Sequence, residues 1–364
     1  MSTSAIAVLL IFAVAFLVTG IEIAHQKMTT GVIDMKPARL WFYRTVGAAL
    51  VLLFGLAVYD LADFHQSSQA VSDAQAGADA ARRRDHDMAI TLYSKAIDTG
   101  TLSGDILGQV YEQRGMAYLL KENWDPAAKD LEEAAKRLTD DPGVHFGLGI
   151  AYFGQGNETG ALKEYDRVIA LGRNPNDLLA STFTARGTVY LALGQVQRGL
   201  QDFDEALRRQ PKDTDAHGGR GQAYFDLGQF DKAEADLSTA ADQEPKVAYN
   251  PLWLFLAQSR QNKDAKAELD RRAEKLDLKS WPGPVVDFYR GRIGANDVMA
   301  AAGTGDAKAQ RDQRCEAGFY LGEQALLSGD KDEARRLLGQ AVGNCDRRFI
   351  EYAGAKAELG RLAE

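Results

Sequence analysis

From about residue 66 onward, apolar positions recur three and four apart and are broken at short intervals by polar turns, which predicts amphipathic helices laid end to end. Four stretches align without a gap: RGMAYLL from Arg114, LGIAYFG from Leu148, RGTVYLA from Arg186 and RGQAYFD from Arg220. In each, the glycine is followed twelve residues later by a small residue, and then by two larger apolar or aromatic positions. With the glycine as position eight, the sets are Gly115, Tyr118, Ala127, Leu131, Ala134; Gly149, Tyr152, Ala161, Tyr165, Val168; Gly187, Tyr190, Gly199, Phe203, Ala206, Pro211; and Gly221, Tyr224, Ala233, Leu237, Ala240, Pro245. Looser copies are Gly77, Ala80, Ala89, Tyr93, Ala96 before them and Gly322, Ala325, Ala334, Leu338, Ala341 after them. The stretch 252–276 reads as a degenerate copy, and 280–313 as divergent. Glycine spacings of 38, 34, 38 and 34 imply a 34-residue unit with two four-residue additions, at TGTLSGD from Thr99 and GRNPND from Gly172. Both additions are turn-rich and are expected to lengthen loops between units. Each unit predicts two antiparallel helices that cannot bury their apolar faces alone, so successive units must stack.

The first 65 residues follow another pattern. Residues 4–20 carry no charge, and extending them to 2–21 gives roughly 30 Å of apolar helix, enough to cross a hydrocarbon core. A second apolar stretch, 40–59, is broken only by Arg44, near enough to its start to snorkel. Trp41, Phe42 and Tyr43 stand at one end and Tyr59 at the other, where amphipathic rings are favoured. A cleaved signal peptide would want a Lys or Arg before the first run and a small-x-small site after it, and neither is there. The expectation is two transmembrane helices forming a membrane hairpin at 1–65, contacting the lipid bilayer through both spans. Lys27, Lys36, Arg39 and Arg44 lie around the connecting loop, with no further Lys or Arg until Arg82, which puts that loop in the cytoplasm. The chain is then expected to be a multi-pass protein of a bacterial inner membrane with its repeats on the periplasmic side. The remaining divisions are 66–280 for the repeat array and 281–364 for a last unit with an insert and a capping helix.

The aligned positions resemble the tetratricopeptide repeat, whose fold is all-α, a solenoid of antiparallel helix hairpins. The resemblance implies that glycine at position eight and alanine at position twenty let paired helices approach closely. The residue at position twenty-four then fills the gap to the next unit. Arg114, Arg186 and Arg220 each precede an aspartate by sixteen residues (Asp130, Asp202, Asp236), while Leu148 faces Glu164 in the unit that lacks the arginine. These read as ion pairs within hairpins ahead of ligand contacts. The C-terminal third, with Trp281-Pro282, Phe288-Tyr289, Gly291, Phe319-Tyr320-Leu321-Gly322, Phe349 and Glu351, resembles the NlpI-like periplasmic lipoproteins. That likeness implies a homodimer docking envelope proteases and cell-wall hydrolases. No lipid-accepting cysteine follows the first apolar run, so the anchor departs from that family. Residues 349–362 should form a final helix covering the end of the stack.

In a tetratricopeptide array the first helices of successive units line the binding groove. The positions implied here include Met116 and Leu119; Phe146, Ile150 and Phe153; Thr184, Thr188 and Leu191; and Asp215, Gln222 and Phe225. The Lys/Asn/Arg clamp by which some members hold a C-terminal carboxylate is missing. An apolar helix or extended apolar segment is the expected guest, unless these residues pack on the protein's own helices. The net charge of −8 gives no support to nucleic-acid binding. Cys315 and Cys345 open and close the last hairpin, so they form either a bridge or two buried thiols. No metal-ligand spacing, nucleophile elbow, phosphate loop or HExxH occurs, and no cofactor or enzyme activity is expected. The glycines of GLGIAYFGQG lie within a repeat helix and its turn. His145 and His217 share one repeat position and read as packed residues. The function expected is a membrane-anchored scaffold recruiting proteins at the cell envelope. The alternative is an accessory subunit of a larger inner-membrane complex.

Overall fold

The computed structural model describes residues 25, 35–172 and 176–363. Among them there are seventeen α-helices and no strand. The chain divides into two compact units, Met1–Arg114 and Gly115–Glu364.

In the first unit, α1 (Met35–Arg82) pairs with α2 (His86–Asp98), and α3 (Gly104–Leu119) begins there and runs into the second unit. Ala80, Ala89, Tyr93 and Ala96 are buried together, and a Cβ at Gly77 would come within 2.9 Å of the Tyr93 ring. The end of α1 is therefore the first helix of a repeat hairpin. This bears on the expected membrane hairpin, which the structure corrects. Among the described residues, no helix is long and apolar enough to cross a membrane. The stretch 40–59 is not a helix with its own boundary. It is the opening of a 48-residue helix that turns polar after Tyr59 and carries Asp63, His65, Asp73 and Asp79 into the first hairpin. A multi-pass inner-membrane placement with the repeats on the periplasmic side is thus not upheld. The other expected span, 2–21, lies outside the described residues.

The second unit stacks hairpins in order: α4 (Trp124–Ala135); α5 (Pro142–Gly154) with α6 (Glu158–Leu171); α7 (Asn176–Ala192) with α8 (Val196–Arg209); and α9 (Thr214–Asp226) with α10 (Phe230–Gln243). The degenerate copy is also a hairpin, α11 (Tyr249–Ser259) and α12 (Ala265–Ala273). The divergent patch supplies two short helices, α13 (Gly283–Tyr289) and α14 (Ala295–Ala301), whose Val285, Val286, Tyr289 and Val298 enter the largest apolar core. Then come α15 (Ala307–Leu327), α16 (Lys331–Asn344) and α17 (Ile350–Ala363). Aspartate or asparagine side chains accept backbone N–H groups at several starts, Asp141 for α5, Asn157 for α6, Asp213 for α9 and Asp330 for α16.

Position twenty-four wedges between two backbones. A Cβ at Gly115 would meet Leu131 at 2.8 Å, and the same leucine lies 3.2 Å from a Cβ at Gly147 of the following unit. Phe203 does the same with Gly187 and Gly219, at 2.9 and 2.6 Å. The two four-residue additions differ from expectation. α3 and α7 each start four residues earlier in the repeat frame than α5 and α9, and are 16 and 17 residues long against 13 for both of those. Each addition is one more turn at the head of a first helix. Four residues make about one helical turn, so the packing face keeps its register.

Candidate functional site

Within the second unit, α17 packs on α15 and α16 and also along the face formed by first helices α7 and α9. Gln222 Nε2 donates to the Ile350 carbonyl at 2.9 Å, Arg361 Nη1 donates to the Asp226 carbonyl at 2.7 Å, and Arg348 donates to the Gly154 carbonyl. Close approach needs Gly354, where a Cβ would fall 2.8 Å from Trp253 and 2.9 Å from Phe319. The last helix therefore does more than cover the end of the stack. It occupies part of the face that the sequence assigns to a guest.

Two recesses that share Tyr249 and Ile350 stay open beside it. The larger, about 730 Å³, takes in Phe146, Thr184, Thr188, Asp215 and Gln222 among the sequence candidates. The smaller, about 490 Å³, takes in Ile150 and Phe153. Leu119, Leu191 and Phe225 are instead buried in helix packing, and Phe225 meets Phe230 and Trp253 edge-on at 5.2 and 5.1 Å. Met116 packs towards Gly147, its sulfur 3.2 Å from where a Cβ there would stand. Residues missed by the repeat frame are Trp124, Tyr249, Asn250, Trp253 and Phe349, which line one recess or the other. Most come from elements far along the chain, and no local spacing marks them.

The recesses differ in chemistry. In the smaller one, Trp124, Ile150, Phe153 and Phe349 supply apolar surface, and its cations are already engaged. Lys308 lies 3.3 Å from Glu122 and 3.4 Å from Asp312, and Arg348 lies 2.5 Å from Asp346. The larger one is lined by hydroxyl, amide and carboxylate groups around Phe146 and Trp253. Behind both, α17 is held by buried polar groups. Tyr320 donates to Glu351 at 2.9 Å, while Tyr249 and Trp281 donate to Glu316 at 3.0 and 2.8 Å. Arg260 and Arg361 both reach Glu358, with Glu323 3.6 Å from Arg260 Nε. Burial pushes the Asp226 carboxyl up to about 8, ahead of the opposing pull of Arg361. Burial likewise raises Glu323, with the charge of Glu358 second, and Glu351, with the charge of Glu316 second.

The arginines at position seven point to structure, not to a ligand. Arg186 grips Asp202 through Nε and Nη2 at 2.8 and 2.7 Å and reaches Asp166 of the preceding hairpin at 2.5 Å. Arg220 repeats this with Asp236, at 2.7 and 2.8 Å, and Asp204, at 2.7 Å. Arg114 donates to Ser94 Oγ at 2.9 Å. In the unit with Leu148, His145 Nδ1 takes the place of the arginine, 2.7 Å from Glu164. That hydrogen bond, ahead of the opposing effect of burial, holds the imidazole above its ordinary pKa. His217 Nδ1 stands 2.8 Å from Asp236 in the same way. Cys315, inside α15, and Cys345, at the end of α16, are bridged with a Cα–Cα distance of 5.0 Å.

A family model described as tetratricopeptide repeat matches residues 112–177 and 184–248, and another of the same description matches 316–340. The chain carries tetratricopeptide repeats. Solved tetratricopeptide structures resemble it distantly. A thermophilic protein of Thermus thermophilus is 18% identical, over 52% of this chain and 98% of its own, with a TM-score of 0.41. A tetratricopeptide repeat protein of Parabacteroides merdae is 14% identical, over 80% and 98%, with a TM-score of 0.49. YrrB, described as having an unusual peptide-binding site, is 20% identical, over 54% and 95%, with a TM-score of 0.41. None of these likenesses bears on what the tetratricopeptide face of this chain holds.

Proposed function

We propose that this tetratricopeptide protein is a non-catalytic interaction scaffold that binds a segment of a partner protein across the two recesses of its second unit. The observation carrying this reading is that first-helix residues of successive repeats, Phe146, Ile150, Phe153, Thr188 and Gln222, line the recesses, Phe146 and Phe153 while also packing on the cluster around Tyr165, and Gln222 while bonding to Ile350. The smaller recess suits an apolar anchor, because its charged groups already have partners and its aromatic surface does not. Burying one large apolar side chain there is worth roughly 1.5–3 kcal/mol, a tenfold to hundredfold effect on affinity.

The full-length protein, immobilised and offered a displayed library of random dodecapeptides, tests the reading. Selected peptides should lose about tenfold or more in affinity on Phe153→Asp or Thr188→Tyr. They should bind unchanged to Lys163→Glu, an exposed position on α6. A library that yields no binders, or binders indifferent to both recess variants, would defeat the proposal.

A further inference from the structure

The larger recess carries an excess of negative charge. Its lining holds Asp213, Asp215 and Glu244 against the single cation Lys212, and no histidine. Asp213 is fixed in place: one oxygen caps α9 by accepting from Ala216 N at 3.0 Å, and the other accepts from Thr184 Oγ1 at 3.1 Å. Asp215 follows two residues later in the first turn of α9. Asp215 stands exposed at the mouth of the recess, where partial desolvation, and after it the charge of Asp213, hold its carboxyl above its ordinary value, so a cation arriving there would offset the repulsion between the two acids.

A second observation is independent of the acids. Trp253 lines the same recess and is only 2% exposed, and its indole N–H has no acceptor. An orphaned buried donor costs about 1–3 kcal/mol until it is given a partner. A bare metal ion or a simple amine would satisfy the carboxylates but would bring no acceptor for the indole. A peptide brings both, a basic side chain and main-chain carbonyls. Asn250 adds a two-faced amide lying over Gly218, its Oδ1 3.2 Å from where a Cβ at that glycine would stand. A volume of about 730 Å³ is ample for a lysine or arginine side chain with its flanking peptide units.

We propose that this recess selects a lysine or arginine of the bound segment, with Asp215 and Glu244 facing the cation and Trp253 and Asn250 facing the adjoining main chain. The proposal rests on the scaffold reading above and adds a charge rule to it. Acidic segments, including free C-terminal carboxylates, would be repelled.

The test uses the full-length protein and acetylated, amidated dodecapeptides made from the sequences chosen in the library selection. The chosen sequences should be enriched in lysine or arginine. Replacing that residue by norleucine should weaken binding at least about tenfold, and replacing it by glutamate should abolish detectable binding. Asp215→Asn should produce a loss like that of the norleucine peptide, and adding Glu244→Gln should deepen it. Asp332→Asn, at an exposed position of α16, should change nothing. Affinity for the lysine peptide should fall with added salt, while that for the norleucine peptide should not. Binders that lack basic residues, or that bind Asp215→Asn as well as the parent protein, overturn the proposal. If those binders still lose affinity on Phe153→Asp, the scaffold reading survives. A selection that gives no binders removes both.

Discussion

Position fifteen of the repeat shows how much one residue's backbone decides. In seven units it takes a positive φ: Arg84 at 62°, Glu122 at 55°, Gly156 at 74°, Gly194 at 72°, Gly228 at 70°, Asn262 at 58° and Gly329 at 82°. The turn between paired helices demands it, and a side chain there costs roughly 1–2 kcal/mol, partly offset by the entropy a glycine loses on folding. Arg84→Gly is therefore expected to raise the unfolding free energy by about 1 kcal/mol, and Gly194→Ala to lower it by a similar amount, in urea titrations. Equal midpoints for Arg84→Gly and the parent would contradict this. The arginine ladder belongs at the same scale. Asp202 is nearly buried and holds Arg186 through two bonds, so Asp202→Ala strands the side of the guanidinium that Asp166 does not reach and should cost about 1.5–3 kcal/mol. Replacing both by apolar residues, Arg186→Met with Asp202→Leu, should recover most of that loss. If the single and double variants are equally unstable, the cost lies elsewhere than in the stranded charge.

At the scale of the element, what could be read in the sequence was whatever is local. Gly149 with Tyr165, or Gly221 with Leu237, lie sixteen residues apart in one hairpin, and the small-large pairing repeats at a fixed spacing. The extra turn on α3 and α7 was harder to read. GDIL and NDLL each put an aspartate into a first helical turn, but the preceding Gly, Ser, Asn and Pro gave the stronger signal for a loop. The apolar run 40–59 looked like a span because composition alone cannot show that α1 goes on into a repeat hairpin. The position of α17 was illegible for a different reason. Its partners Gln222 and Asp226 are more than a hundred residues away, and contacts so distant leave no period. The recess residues it helps to frame, Trp253 and Asn250, were missed with it. The last hairpin gives this element its own test. A bridge closing 30 residues should stabilise it by about 3–4 kcal/mol through loss of entropy in the unfolded chain. Reduction should therefore lower the unfolding midpoint of the parent protein and leave that of Cys345→Ser unchanged. A parent midpoint that does not respond to reductant would rule out this stabilising role.

For the molecule as a whole, the buried acids behind α17 make stability depend on pH. Asp226 on α9, Arg260 capping the end of α11, Glu323 on α15, and Glu358 and Arg361 on α17 form one group; Glu316 and Glu351, with Tyr249, Tyr320 and Trp281, form the other. Neither oxygen of Glu323 receives a hydrogen bond, and one oxygen of Asp226 is also without a donor, so their neutral forms are favoured. An ordinary carboxyl titrates near pH 4, whereas Asp226 titrates at about 8, and Glu323 and Glu351 are raised in the same direction. Between those limits the folded protein holds more protons than the unfolded chain. The contribution of these groups is thus fully present below about pH 4 and is lost as pH rises through about 8. Carboxylates held by arginines outside this interface act in another window. Glu205, held at about 2 chiefly by Arg208, contributes above about pH 4 and loses that contribution as pH falls towards 2. The unfolding midpoint should therefore decline from pH 5 to pH 9, and amide exchange in α17 should quicken first, because its ionised carboxylates would repel one another across the helix interface. Glu323→Gln with Glu351→Gln removes two of the titrating groups while keeping their shape, and should flatten that decline. A double variant whose midpoint falls as steeply as the parent's would show that the pH dependence arises elsewhere.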